Sequence, residues 1–264
     1  MNATIPAPLS EGPVRLELLD GGAIWHVRLA TPRANVLDRA MVTSLTRVFS
    51  AAARDPRLKA VIIEGEGPHF SFGASVAEHL PGRFETMLEG FHGLFFEMLE
   101  SATVTLSAVR GQCLGGGLEL ASFCHRVFAS PDARLGQPEV SLGVFAPVAS
   151  AILCGRIGRA HAEDLLLSGR VVPAEEAARM GLVDELALDP LAAALEYARR
   201  HFLPKSASSL RIACRAARAS FAEAFRADLA RLERLYSEHL MRTADAIEGL
   251  TAFLEKRDPR WSDR

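Results

Sequence analysis

An α/β fold is predicted for this chain by three observations. Short apolar runs alternate with stretches of helical spacing up to about residue 190, Gly and Pro punctuate the joins, and strand signals vanish beyond that point. Strands separated by helices at this spacing read as right-handed β-α-β units. At roughly 150 residues per domain, 264 residues leave room for one domain or two. The chain is long enough to bury a sizeable core without disulfides or metal staples.

The elements follow in order. Residues 1–13 carry three prolines and are expected to be a flexible lead; with no Lys or Arg and no apolar core they do not form a secretory signal. Residues 14–19 and 23–29 are apolar stretches joined by Asp20-Gly21-Gly22, a hairpin signal. Met41, Leu45, Val48 and Phe49 recur at helical spacing, and Asp55-Pro56 closes that helix. Ala60-Val61-Ile62-Ile63 is a short buried strand, followed by a Phe-, Gly- and Ser-rich loop at 68–75. A helix over about 84–100 and a β-branched strand at 103–109 come next. A Gly-rich turn, 111–117, then leads into a helix through Leu118, Leu120 and Ala121. Residues 14–190 are the expected α/β core, the part expected to carry the chemistry, and 191–264 a helical region rich in Ala, Arg, Leu and Glu. The Arg- and Glu-rich face at 225–239 is expected to be solvated.

Composition removes several functions. Thirty Lys and Arg against 32 Asp and Glu, dispersed along the chain, do not form the basic stripe that nucleic-acid binding requires. The longest nearly uncharged stretch, 143–155, contains Pro147 and falls short of the roughly 20 apolar residues of a membrane span. Cys113, Cys124, Cys154 and Cys214 form no close pair and match no zinc spacing, which suits a reducing, cytoplasmic compartment. His26, His69, His79, His92, His125 and His161 show no metal-ligand pattern.

Three segments can carry chemistry. Gly115-Gly116-Gly117-Leu118-Glu119 opens a helix, where the first N–H groups lack intrahelical partners and favour negative charge. Glu119 falls one turn in, on the side of Gly116. The Lys-Ser or Lys-Thr of a phosphate loop is absent, which argues against nucleotide hydrolysis. Gly136-Gln137-Pro138-Glu139 presents a second carboxylate from a turn stiffened by Pro138. Together Glu119 and Glu139 supply an acid and a base if their pKa values are moved apart. Phe70-Ser71-Phe72-Gly73-Ala74-Ser75 offers another backbone N–H, and two donors on one developing oxyanion are what an enolate mechanism needs. Each segment alone also has a plainer reading, as tight packing, a capping glutamate or an aromatic-lined turn. A competing constellation, Gly111-Gln112-Cys113-Leu114-Gly115, fits a nucleophile elbow with Cys in place of Ser, with Asp184 and His201 or His239 as later partners.

Taken together, residues 14–257 resemble the enoyl-CoA hydratase/isomerase, or crotonase, family. The matching text is 70–74, 108–121 (Ala-Val-Arg-Gly-Gln-Cys-Leu-Gly-Gly-Gly-Leu-Glu-Leu-Ala), 135–143 (Leu-Gly-Gln-Pro-Glu-Val-Ser-Leu-Gly), 167–170, 177–184 and 252–257. The resemblance implies a crotonase-like spiral of β-β-α repeats with a C-terminal helical trimerisation region, assembled as a homotrimer or homohexamer. It implies an acyl-CoA substrate, CoA being part of the substrate, with no separate cofactor and no metal. Ala74 and Gly116 match the family's oxyanion-hole amides, and Glu119 and Glu139 its two catalytic glutamates. Retention of both glutamates favours hydration. Phe253 and Lys256 fall where the family's C-terminal helix meets the CoA nucleotide; Arg33 and Phe72 are further candidates for CoA contact. Two departures stand out. Val144-Phe145-Ala146-Pro147 replaces the usual Pro-Gly segment, and Phe72 and Ser75 replace the usual Ala and Asp of the first oxyanion loop. The added bulk of Phe72, Phe145 and Pro147, with Ser75, implies a pocket for a flat, cyclic acyl group, similar to the branch of the family that hydrates cyclic dienoyl thioesters.

Overall fold

The structure, a computed structural model, describes residues 12–31 and 33–264. All of the expected flexible lead except Gly12 and Pro13 lies outside the described residues. β1 (Val14–Leu19) and β2 (Ile24–Leu29) form the antiparallel hairpin, and its turn residues Asp20, Gly21 and Gly22 take φ of 50°, 69° and 89°. From β2 the sheet continues in parallel through β3 (Ala60–Gly65), β4 (Val104–Val109), β6 (Arg126–Ala129) and β9 (Glu185–Leu186). Parallel neighbours need crossovers. These run through α1 (Arg39–Ala52), α2 (Phe84–Ser101) and α3 (Gly116–Phe123).

Helices cover both faces of this sheet, which explains why β4 is buried along its whole length and reads as a continuous apolar run. Val61, Ile63 and Val127 join the main core with Leu45, Phe49, Leu94 and Phe95 of α1 and α2. Ala60, Ile62, Leu106 and Phe128 point the other way, against Ala194 and Ala198 of α7 (Pro190–His201).

The Gly-rich segment at 111–117, expected to be only a turn, contains a three-residue strand, β5 (Gln112–Leu114). It pairs in parallel with β7 (Arg134–Gly136), which pairs antiparallel with β8 (Val171–Pro173). Three residues are too few for an alternation to register in sequence; the pairing is supplied by a segment about twenty residues away. α4 (Pro147–Ile157), α5 (Arg159–Ser168) and α6 (Ala174–Met180) complete the region before residue 190.

After α7 come α8 (Ala207–Arg234), a π-helical turn at Leu235–His239 and α9 (Ala244–Glu255). The face expected to be solvated at 225–239 is only partly so. Phe225, Leu229 and Tyr236 are buried there, because the Arg and Glu side chains occupy only the outer side of the helix. Tyr236 joins Phe84, Leu88, Val144, Ala246 and Leu250 in a separate apolar cluster. Among the described residues no helix is long and apolar enough to cross a membrane.

Candidate active site

The loop at 70–75 is laced along β5. Ser71 donates its N–H to Gln112 O (3.0 Å), and Leu114 N–H donates to Ser71 O (3.0 Å). Ser71 Oγ donates to Asn35 O (2.7 Å) and accepts from Gly73 N–H (3.1 Å), which curls the loop tightly. The glycines of the α3 start permit close approach. A Cβ on Gly117 would stand 2.7 Å from Ser71 Cβ, and one on Gly116 3.1 Å from Ala74 N. The backbones of Ala74 and Gly116 therefore adjoin. Among the described residues, neither the Ala74 nor the Gly116 N–H has a backbone acceptor. Gly116 is the first residue of α3, a position whose N–H has no intrahelical acceptor.

Glu119 lies in the first turn of α3, 4% exposed, and its Oε1 accepts the Ala149 N–H (2.7 Å) from the first turn of α4. Glu139 sits in a 3-10 turn, Pro138–Leu142, with its carboxylate packed against Gly115. A Cβ on Gly115, where φ is 51°, would overlap Glu139 Oε1. The buried Gln137 side chain, oriented with its nitrogen toward Glu139, donates to Oε2 (2.8 Å) and Oε1 (3.2 Å). Gln137 was legible only as part of a motif; its signal is an amide two residues before a carboxylate.

Burial dominates the electrostatics of the pair. It lifts Glu119 to about 7 in spite of hydrogen bonds from the Ala149 and Val148 amides. Glu139 is lifted to about 8, by burial first and then by the negative charge of Glu119. Two buried carboxyl groups, one of them raised further by the charge of the other, are not both ionised near neutral pH. Such a pair can offer one neutral and one ionised group to a reaction.

The remaining sequence candidates distribute as follows. Phe72 is 45% exposed, packs edge-on to His69 (5.0 Å), and donates its N–H to Ala34 O (3.0 Å). That bond sets it beside exposed Arg33, whose φ is 71°. Ser75 is half-buried and directly precedes the short helical turn Val76–His79, with no capping hydrogen bond from its side chain. Phe145 is half-buried and packs on Tyr236 (5.4 Å). Pro147 is buried at the first turn of α4, where it starts the helix that brings Ala149 to Glu119. Phe253 and Lys256 stand exposed at the C-terminal end of α9, outside its buried Ala246, Gly249 and Leu250 face.

The Cys113 elbow is contradicted. Cys113 is the middle residue of β5, fully buried, and burial pushes its thiol well above the usual range, the opposite of an activated nucleophile. Asp184 is engaged by Arg156 (2.7 Å) and the Val127 N–H (2.7 Å), while His201 packs against Tyr197 (4.4 Å). Tyr236, absent from the sequence candidates, is buried beside the Glu139 turn; a lone Tyr in an Arg- and Glu-rich helix gives no local signal.

The family model for enoyl-CoA hydratase/isomerase matches residues 20–264. The chain is 49% identical over 255 residues to cyclohexa-1,5-dienecarbonyl-CoA hydratase of Thauera aromatica, covering 97% of this chain and 99% of that protein. It is 34% identical to a probable enoyl-CoA hydratase of Mycobacterium leprae, covering 94% and 98%. Among solved structures, an enoyl-CoA hydratase from Mycobacterium avium subsp. paratuberculosis K-10 superposes with a TM-score of 0.83 at 26% identity, covering 95% of this chain and 99% of that one. The fold, the two adjoining amides, the paired carboxyl groups and these likenesses agree: the chain belongs to the enoyl-CoA hydratase/isomerase, or crotonase, family, whose substrates are acyl-CoA thioesters.

Proposed function

We propose that this protein adds water to a cyclic dienoyl thioester, converting cyclohexa-1,5-diene-1-carbonyl-CoA to 6-hydroxycyclohex-1-ene-1-carbonyl-CoA. Hydration rests on one observation above the others: two buried carboxyl groups raised by that burial, Glu119 and Glu139, beside the adjoining Ala74 and Gly116 amides. The cyclic acyl group is supported by the 49% identity to the Thauera aromatica hydratase.

The chemistry follows from electron flow. One carboxylate takes a proton from water as the water oxygen bonds to the β-carbon of the thioester. Charge moves onto the carbonyl oxygen, which the Ala74 and Gly116 N–H groups hold; one such donor contributes about 3 kcal/mol to barrier lowering. The second double bond extends the enolate into a dienolate, which takes a proton at its far end from the other carboxyl group. The sum is a 1,4-addition of one water, with no electron transferred. Arg33, Phe72, Phe253 and Lys256 are assigned to CoA, and Phe72, Ser75, Phe145 and Pro147 to the walls around the acyl ring. Residues 191–264 are assigned to assembly of a trimer or a pair of trimers.

The Mycobacterium leprae likeness favours a second reading, hydration of linear 2-enoyl-CoA. A comparison of kcat/KM for the cyclic dienoyl-CoA and for crotonyl-CoA separates the two. The cyclic substrate is expected to give the higher value; a markedly higher value for crotonyl-CoA overturns the cyclic reading.

A further inference from the structure

Tyr236 is one of only two tyrosines in the chain, and its side chain is completely buried. Among the described residues its hydroxyl has no hydrogen-bond partner. A buried donor left unmade costs folding stability, so a group of this kind requires an explanation. Its surroundings supply no acceptor: Phe84 (6.0 Å between ring centres) and Phe145 (5.4 Å) flank the ring, and Leu88, Val144, Met241, Ala246 and Leu250 are the other buried members of the cluster.

The position of Tyr236 is specific. It lies in the π-helical turn Leu235–His239, a departure from α-helical winding that is frequent at functional sites. The turn is tied down on its N-terminal side, where His92 Nδ1 of α2 meets Glu233 Oε1 and Ser237 Oγ donates to Glu233 O (2.9 Å). The ring packs on the loop that follows Glu139, in which Val144 N–H donates to Glu139 O (3.2 Å). Burial and the negative charge of Glu139 and Glu119 push the phenol up, so it remains a protonated donor at neutral pH and lies within electrostatic reach of both carboxyl groups.

We propose that the Tyr236 hydroxyl donates a hydrogen bond to the oxygen added to the acyl group, as water in hydration and as the product hydroxyl in the reverse direction. This rests on the hydratase reading above. A hydrocarbon acyl group has no polar atom besides the thioester oxygen, which the Ala74 and Gly116 amides take. The incoming oxygen is therefore the one new acceptor the apolar cluster meets during turnover. Tyr236 keeps its proton throughout; the O–H bond of water is broken by a carboxylate. Access requires the half-buried Phe145 ring to yield, since Phe84 is the more deeply buried of the two flanking rings.

Tyr236→Phe tests this with little change to the packing. The expected result is a kcat lower by about tenfold or more in both directions, KM changed far less, and a thermal midpoint equal to or above the parent's. A second measurement does not depend on turnover. In a Tyr197→Phe background, Tyr236 is the only phenol, and its ring carbon bearing the hydroxyl can be isotope-labelled and followed by NMR. That resonance is expected to shift with 6-hydroxycyclohex-1-ene-1-carbonyl-CoA but not with cyclohexanecarbonyl-CoA, and likewise with 3-hydroxybutyryl-CoA but not butyryl-CoA. A Tyr236→Phe enzyme with kcat within about twofold of the parent, or equal shifts for hydroxylated and plain thioesters, overturns the proposal. Hydroxyl-specific shifts together with a parent that prefers crotonyl-CoA would instead remove the cyclic-substrate reading and leave this one standing.

Discussion

Glu119 and Glu139 occupy positions that work against folding. Both titrate above the 4.5 of an ordinary glutamate, toward about 7 and about 8. Because the folded values are the higher ones, the stability associated with the neutral carboxyls is fully present below about pH 4.5. It is lost as pH rises through about 7 to 8. Glu139→Gln cannot ionise, so its thermal midpoint is expected to match the parent's near pH 5 and to exceed it by a few degrees near pH 9, at fixed protein concentration. In the same variant, and in Glu119→Gln, kcat should fall by at least about a hundredfold. A variant that is more stable at high pH yet fully active would separate burial from catalysis and contradict the roles assigned. Both glutamates were legible because each sits in a dense local motif. The role of Gln137 is not legible in that motif, since its hydrogen bonds to Glu139 depend on a backbone turn. Tyr236 was invisible because its neighbours come from α2, from the loop after Glu139 and from α9.

At the level of elements, the site depends on how closely three short pieces approach: the loop at 70–75, the β5–α3 junction and the Glu139 turn. Gly115 is the point of closest approach to Glu139, and its φ of 51° already disfavours a side chain. Gly115→Ala is therefore expected to keep the fold, by circular dichroism, while displacing the carboxylate and lowering kcat by about a hundredfold. Parental kcat in that variant would show that Glu139 does not need its present position. The long elements, from α1 through β4 and again in α8, were readable because their apolar periods run for many residues. β5 was not, because three residues hold no period and the strand exists through its pairing with β7. The π-helical turn at 235–239 was also unreadable, since the charged outer side of α8 continues across it while the inner side changes its winding.

The whole molecule leaves apolar groups uncovered along its C-terminal region. Ile212 is 63% exposed, Phe253 54% and Trp261 45%. Exposed apolar groups of this size, on the outer sides of α8 and α9 and in the segment after α9, fit burial between subunits. Sedimentation equilibrium is expected to return three or six times the 28.6 kDa chain mass, and a stable 28.6 kDa species at micromolar concentration would contradict the assigned assembly. The even charge balance does not oppose a polyanionic CoA, because the few cations proposed for it, Arg33 and Lys256, would be enough to meet its phosphates.

The central claim is that the paired glutamates carry a 1,4-addition of water to a cyclic dienoyl thioester. Its most direct test is the product formed from cyclohexa-1,5-diene-1-carbonyl-CoA in heavy water, read by mass and NMR. The expected product is 6-hydroxycyclohex-1-ene-1-carbonyl-CoA with one deuterium on the ring carbon at the far end of the original diene. Deuterium on the carbon bearing the thioester, or no addition of water to this substrate, would contradict it.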